Sequence, residues 1–318
     1  MPRKVFVATT SFGLPTDTSL QRNLDLGDAL VDAAGSCHAD VVCLPEVYPR
    51  TGLPGVRTRE LAETVPGPVF DRLAAKARQY GMYVIAGLPE NRDGQLINTA
   101  VIIDRQGRLV GQYDKVHPTI GEIENGIVPG QKVQVFETDF GRVGLAICYD
   151  IGWPAVWDEL GALGAEIVFW PSAYDGGFPL QTYAWRNFYY VVSSVWSYHS
   201  RVIDITGQPL TSTSRFSRLA TLEIDLEKQV FHTDQNASKL LDMTTRLGRR
   251  VTMETFTEEH VFTVQSNDQS LSVADIIKEF GLEPFRAYHA RAEQVQDQAR
   301  STSAMGPHGT AALAARSR

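Results

Sequence analysis

Cysteine is scarce in this chain: Cys37, Cys43 and Cys148 are the three among 318 residues. Their odd number and wide spacing argue against a disulfide framework and for a reducing, cytoplasmic setting. Metal-binding patterns are missing too. No Cys-x-x-Cys, His-x-x-x-His or acidic loop occurs, so neither a metal nor another cofactor is expected. Basic residues are outnumbered, 30 Lys and Arg against 37 Asp and Glu, for a net charge of -7. That balance leaves no electrostatic footprint for nucleic acid. No apolar run approaches the ~20 residues that span a bilayer, so no membrane partner is expected. The apolar part of residues 1–8 is too short for a signal peptide. Hydrophobic residues make up 43% and charged residues 21%, a globular composition in a chain long enough to bury a sizeable core.

What the chain does have is a series of short apolar runs with helical stretches between them. Residues 4–9, 39–44, 82–88, 142–147, 166–170 and 190–196 read as strands. Thr18 or Ser19 caps a helix to about Cys37, and Gly67-Pro68 opens another to Tyr80. Residues 97–104 and 108–113, joined by Arg105-Gln106-Gly107, read as a hairpin. Strands with both helical and hairpin connections indicate α/β architecture with mixed sheets.

The stretch 142–150 carries the chemistry. Its apolar residues end in Cys148, and a bend at Gly152-Trp153-Pro154 leads into a helical run. A thiol there sits at a strand's carboxyl end, where open α/β folds place their sites. Two other strands end on charged residues. The run 39–44 delivers Pro45-Glu46, and the hairpin delivers Lys115. Alone, each is as readily a solvated loop residue. Together they form a set: a thiol nucleophile, a carboxylate to take its proton, and an ammonium to hold an oxyanion.

At this point the sequence resembles the nitrilase superfamily of carbon–nitrogen hydrolases. The resemblance rests on Leu44-Pro45-Glu46 with Thr51-Gly52, on Tyr113-Asp114-Lys115-Val116-His117, and on Gly144-Leu145-Ala146-Ile147-Cys148-Tyr149-Asp150. Pro171-Ser172-Ala173 and Asp204-Ile205-Thr206-Gly207 extend it, over residues 4–228. The resemblance implies an α-β-β-α sandwich that pairs into an eight-layered dimer or a larger homo-oligomer. It implies Cys148 as nucleophile, Glu46 as base and Lys115 as oxyanion partner. It also implies a second active-site glutamate, Glu122 in Lys115-Val-His-Pro118-Thr119-Ile-Gly-Glu122, with Glu124 as the competing assignment.

The implied substrate is a small amide, carbamoyl amine or nitrile. Ile151 and Gly152 stand where carbamoylases for D-amino acids carry arginines, and Tyr149-Asp150 replaces the Trp-Glu of true nitrilases. Both departures favour an amide. A non-catalytic scaffold would be marked by loss of Glu46, Lys115 or Cys148, and none is lost. Candidate substrate contacts are Tyr149, whose N–H would be a second oxyanion donor, with Trp153, Tyr174 and Arg186. Trp170, Phe178, Trp196 and Tyr198 read as pocket or as packing, and Arg186 as a carboxylate partner or a structural ion pair.

Three regions are expected: the hydrolase domain 1–228, a C-terminal extension 229–300 contributing oligomer contacts, and a flexible tail 301–318. The extension reads as strand-free until the helices 273–280 and 283–299, and as too polar for a core of its own.

Overall fold

The computed structural model describes residues 2–13 and 18–302; the expected flexible tail lies, from 303 onward, outside them. The chain divides into two compact units, Arg3–Leu226 and a second that takes up the chain from Glu227.

The first unit begins with β1 (Lys4–Thr10), α1 (Leu20–Ser36), β2 (Val41–Cys43), α2 (Pro68–Tyr80), β3 (Tyr83–Arg92), β4 (Gln95–Ile103), β5 (Leu109–Asp114) and the short α3 (Ile120–Glu124). It continues with β6 (Val135–Glu137), β7 (Arg142–Leu145), α4 (Pro154–Ala162), β8 (Ile167–Ser172), α5 (Phe178–Asn187), β9 (Tyr190–Val195), β10 (Arg201–Ile203), β11 (Pro209–Ser212) and β12 (Leu219–Asp225). Two six-stranded sheets result, ordered β12-β1-β2-β3-β4-β5 and β11-β10-β9-β8-β7-β6. Both are mixed: β1, β2 and β3 run parallel, as do β7, β8 and β9, and the flanking pairs are antiparallel.

Sequence periodicity explains the outer layers. Leu24, Leu30, Val31 and Ala34 of α1 and Val69, Leu73 and Ala77 of α2 recur at helical spacing, and they pack on Ala8, Val42 and Val84 of the first sheet. Ser19 caps α1 by accepting from the Arg22 N–H at 3.2 Å, and Gly81, at φ 60°, ends α2 in the left-handed conformation. Val156, Trp157 and Leu160 of α4 and Leu180 and Ala184 of α5 cover Val168, Val191 and Ile203 of the second sheet. The two sheets face each other inside. Thr10 Oγ1 lies 3.1 Å from Ser194 Oγ, and Ser194 Oγ donates to the Thr10 carbonyl at 2.8 Å. This is an α-β-β-α sandwich.

The second unit corrects the sequence reading. It holds β13 (Gln229–His232), α6 (Leu240–Leu247), β14 (Val251–Phe256), β15 (Val261–Ser266), α7 (Val273–Phe280) and α8 (Phe285–Thr302). The strands form an antiparallel sheet, β13-β15-β14. Phe231, Met243, Leu247, Phe262, Val264 and Ile276 belong to its own buried core. The region is not strand-free, and it is not too polar for a core. Its β14, Val-Thr-Met-Glu-Thr-Phe, alternates between a covered and a solvated face, so period 2 carries the signal where average polarity hides it.

Phe262 is fully buried and stacks on Phe231 at 5.2 Å between ring centroids. Phe262→Ala should cost this unit about 3–5 kcal/mol, read as faster hydrogen exchange of the β13–β15 amides. Unchanged exchange would contradict the assignment of a separate core.

Candidate active site

Three strand ends converge. β2 leads through Leu44-Pro45 to Glu46, β5 leads directly to Lys115, and β7 leads through Ala146-Ile147 to Cys148. All three side-chain-bearing residues are buried, with exposures of 4%, 1% and 6%. Two of the turns are tight. Cys148 has φ 45° and Val47, directly after Glu46, has φ 40°. Left-handed backbone costs of order 1–3 kcal/mol at residues with a side chain, so packing must hold both turns. Gly87 of β3 makes room for the first: a Cβ there would lie 2.5 Å from the Glu46 Cα. Two indole N–H groups fix the carbonyls of the site residues. Trp196 Nε1 donates to the Glu46 oxygen at 2.6 Å and Trp170 Nε1 to the Cys148 oxygen at 3.1 Å.

The Lys115 ammonium lies between two carboxylates, 2.8 Å from Glu46 Oε1 and 2.8 Å from Glu122 Oε2. The structure thus brings Glu122, and not Glu124, to the lysine. A capping box makes this local. Thr119 caps α3 and its N–H donates to Glu122 Oε2 at 2.7 Å, while Glu122 N–H donates to Thr119 Oγ1 at 3.2 Å. Asn98 of β4, which sequence reasoning missed, bridges the same pair: its Nδ2 donates to Glu46 Oε1 and to Glu122 Oε1, each at 2.8 Å. The available signal was an amide inside the apolar strand Leu-Ile-Asn-Thr-Ala-Val, where a buried polar group requires partners.

These contacts set the protonation pattern. Burial works to drive the proton off Lys115, but Glu46, Cys148 and Glu122 outweigh it and raise its pKa. Burial likewise opposes ionisation of Glu122, and Lys115 overrides it, holding the carboxyl below its usual range. The Cys148 thiol is pushed up, first by burial and then by the Glu46 charge, although Lys115 and the Ala173 N–H pull the other way. The Glu46 carboxylate lies close enough to the thiol for its charge to act on it. Near neutral pH the site therefore presents a thiol beside a base, with a cation alongside.

Asp150 was also passed over as a site residue. It is fully buried, and it ties the Cys148 turn to the lysine loop. Its Oδ2 accepts from Ile147 N–H at 2.9 Å and Tyr113 O–H at 2.8 Å, and its Oδ1 accepts from His117 N–H at 2.8 Å. His117 Nδ1 lies 3.2 Å from Oδ1.

Of the expected substrate contacts, three sit around the thiol. Tyr149 follows Cys148 in a one-turn helix, Cys148–Gly152, in which the Asp150 N–H donates to the Ile147 carbonyl at 3.0 Å. Trp153 stacks on His117 with ring centroids 4.0 Å apart and meets Tyr149 edge-on at 5.1 Å. Tyr174 meets Trp170 edge-on, and burial, then the Cys148 and Glu46 charges, push its phenol up to about 12. Arg186 is the correction. It pairs with Asp158 of α4, Nε to Oδ1 at 2.7 Å and Nη2 to Oδ2 at 3.0 Å. A guanidinium committed bidentately to a helix neighbour is a structural ion pair, and none of its described contacts is with Glu46, Lys115 or Cys148. Among the described residues no group of three or more His, Cys, Asp or Glu could hold a metal ion, and no helix is long and apolar enough to cross a membrane.

The model of the carbon-nitrogen hydrolase family matches residues 8–229. The chain belongs to that family. Among curated family relatives, it is 34% identical over 169 residues to a bifunctional nitrilase/nitrile hydratase of Lupinus angustifolius, covering 47% of this chain and 48% of the relative. It is 30% identical over 162 residues to an omega-amidase of Xenopus tropicalis, covering 48% and 58%. It is 34% identical over 185 residues to a beta-ureidopropionase of Arabidopsis thaliana, covering 54% and 45%. The chain thus spans about half the length of these curated relatives. An amidase from Nesterenkonia sp. shares the fold with TM-score 0.59 at 24% identity, covering 70% of this chain and 89% of that chain. A carbon-nitrogen hydrolase from Helicobacter pylori G27 does so with TM-score 0.64 at 19% identity, covering 77% and 94%.

Since the Glu46 charge helps hold the thiol up, Glu46→Gln should lower the pH at which Cys148 becomes reactive to iodoacetamide. The midpoint of labelling against pH, followed by mass, reports it; an unmoved or higher midpoint would contradict the assigned contact.

Proposed function

We propose that this protein is a cysteine-dependent hydrolase of a small amide or carbamoyl amine. The observation that carries this reading is the Lys115 ammonium held 2.8 Å from both Glu46 and Glu122, with the Cys148 thiol near enough for the Glu46 charge to act on it. Lys115 and Asn98 both occupy Glu46 Oε1, which leaves the other oxygen for the thiol proton.

Sulfur attacks the carbonyl carbon while Glu46 takes the S–H proton. The carbonyl oxygen becomes an oxyanion. An ammonium has one more N–H than the two carboxylate bonds of Lys115 use, and this N–H, with that of Tyr149, holds the oxyanion. Collapse breaks the C–N bond, and Glu46 returns its proton to the departing ammonia or amine. A thioester on Cys148 remains. Water attacks it, Glu46 accepts the water proton, and the acid leaves as the thiol is restored. Glu122 and Asn98 act on Lys115 and Glu46 and hold them in place. The pairing into a homodimer or larger assembly belongs to this proposal; light scattering on the intact chain reports it.

A second reading is nitrile hydrolysis, through a thioimidate in place of the tetrahedral amide adduct. The likeness to a nitrilase/nitrile hydratase at 34% identity favours it; Tyr149-Asp150 after the nucleophile favours the amide.

Ammonia release over matched amides, carbamoyl amines and nitriles tests the proposal. Amides should turn over, Cys148→Ala should abolish release, and Lys115→Ala should lower kcat by about 10²–10³ or more. Turnover of the nitrile alone, or activity surviving in Cys148→Ala, would overturn it.

A further inference from the structure

The buried stripe of α1 is apolar along most of its length, where Leu24, Leu30, Val31 and Ala34 face the first sheet. Near its start the stripe changes. Asn23 and Gly27 lie on it too, at positions where a leucine would bury more apolar surface. Asn23 is only 1% exposed. An asparagine does not favour a helix interior, and a buried amide must find partners. Asn23 finds them outside the helix. Its Nδ2 donates to the Pro49 carbonyl at 2.9 Å and to the Thr51 carbonyl at 2.7 Å. Its Oδ1 accepts from Thr18 Oγ1 at 2.9 Å.

Pro49 and Thr51 belong to the turn that directly follows Glu46. Val47 opens that turn with φ 40°, and the one-turn helix Tyr48–Arg50 continues it. Gly27 serves the same turn. Tyr48 is fully buried, and a Cβ at Gly27 would lie 2.7 Å from Tyr48 Cε2. Helix α1 therefore grips the turn in two ways, by the Asn23 amide and by the seat that Gly27 leaves for the Tyr48 ring. A β-branched residue with positive φ persists only where its surroundings over-determine it. Relaxation of Val47 would swing its neighbour Glu46, whose carboxylate accepts from Lys115 and Asn98. None of the hydrogen bonds of the Asn23 side chain reaches Glu46, Lys115 or Cys148, so any effect on them passes through the turn.

We propose that Asn23 is a positioning residue for Glu46: through the Pro49 and Thr51 carbonyls it holds the Val47 turn, and so keeps the Glu46 carboxylate on Lys115 and beside Cys148. The part Glu46 plays in turnover rests on the hydrolase reading above; the placement of its carboxylate does not.

Alkylation of Cys148 by iodoacetamide against pH, followed by mass, tests this without a substrate. In Asn23→Ala the midpoint should fall, in the direction expected for Glu46→Gln, because the Glu46 charge that helps hold the thiol up is no longer fixed beside it. Combined with Glu46→Gln, Asn23→Ala should move the midpoint no further, as expected of two residues acting through one contact. A general loosening that exposes the thiol would lower the midpoint equally in both backgrounds. Gly27→Ala suits a helix interior but crowds Tyr48. It should shift the midpoint as Asn23→Ala does, and it carries the test if Asn23→Ala does not fold. With a turned-over amide, either replacement should lower kcat about ten- to a hundred-fold and leave KM little changed. An unmoved midpoint in folded Asn23→Ala, or in Gly27→Ala where the first does not fold, overturns the inference. So does an equal shift in the Glu46→Gln background. Midpoints that behave as expected in a protein that releases no ammonia would remove the hydrolase reading and keep the positioning of Glu46. Turnover of amides with unmoved midpoints would do the reverse.

Discussion

The active site depends on one buried ammonium. Lys115 is nearly inaccessible and touches two carboxylates at 2.8 Å. Taking such ions out of water costs several kcal/mol each, and their attraction offsets that only when geometry is good and the remaining polar atoms are satisfied. Here they are. Asn98 donates to both carboxylates and the Thr119 N–H to one of them. The arrangement leaves one positive charge against two negative ones, beside a thiol. Burial and Glu46 keep that thiol protonated, so its reactivity is tied to delivery of the proton to Glu46. In the proposed reaction Lys115 would compensate the charge that develops on sulfur and on the attacked oxygen.

Such a cluster needs a rigid frame, and the sandwich supplies one. The three residues come from the ends of strands in two different sheets, so facing the sheets brings them together. The polar contacts between Thr10 and Ser194 mark that facing. The turns that follow the strands carry left-handed residues at Val47 and Cys148. Indole N–H groups from β8 and from just beyond β9 hold the carbonyls at Glu46 and Cys148. Asp150 then joins the lysine loop to the Cys148 turn through Tyr113, His117 and Ile147. It is costly to bury, and burial raises its pKa against those same hydrogen bonds. Its four contacts explain why an acid occupies that position.

Much of this was legible in the sequence, because strand ends are. Glu46, Lys115 and Cys148 each follow a short apolar run, and the mixed sheets follow from alternating hairpins and helical stretches. The Thr119-x-x-Glu122 capping box distinguishes Glu122 from Glu124 by local chemistry. Asn98 escaped because its role lies in side-chain geometry across β4, which no spacing reveals. Arg186 was read in two ways because a surface guanidinium has the same sequence whether it meets substrate or Asp158. The second unit was misread because its strands bury one face only, and averaging over both faces conceals the alternation.

The central claim is that Cys148 forms the covalent intermediate. Intact-mass analysis of the protein, quenched soon after mixing with a turned-over amide and then digested, tests it most directly. The account predicts a mass gain equal to the acyl group on the peptide carrying Cys148, absent in Cys148→Ala. An adduct on any other residue, or ammonia release by Cys148→Ala at the unsubstituted rate, would contradict it.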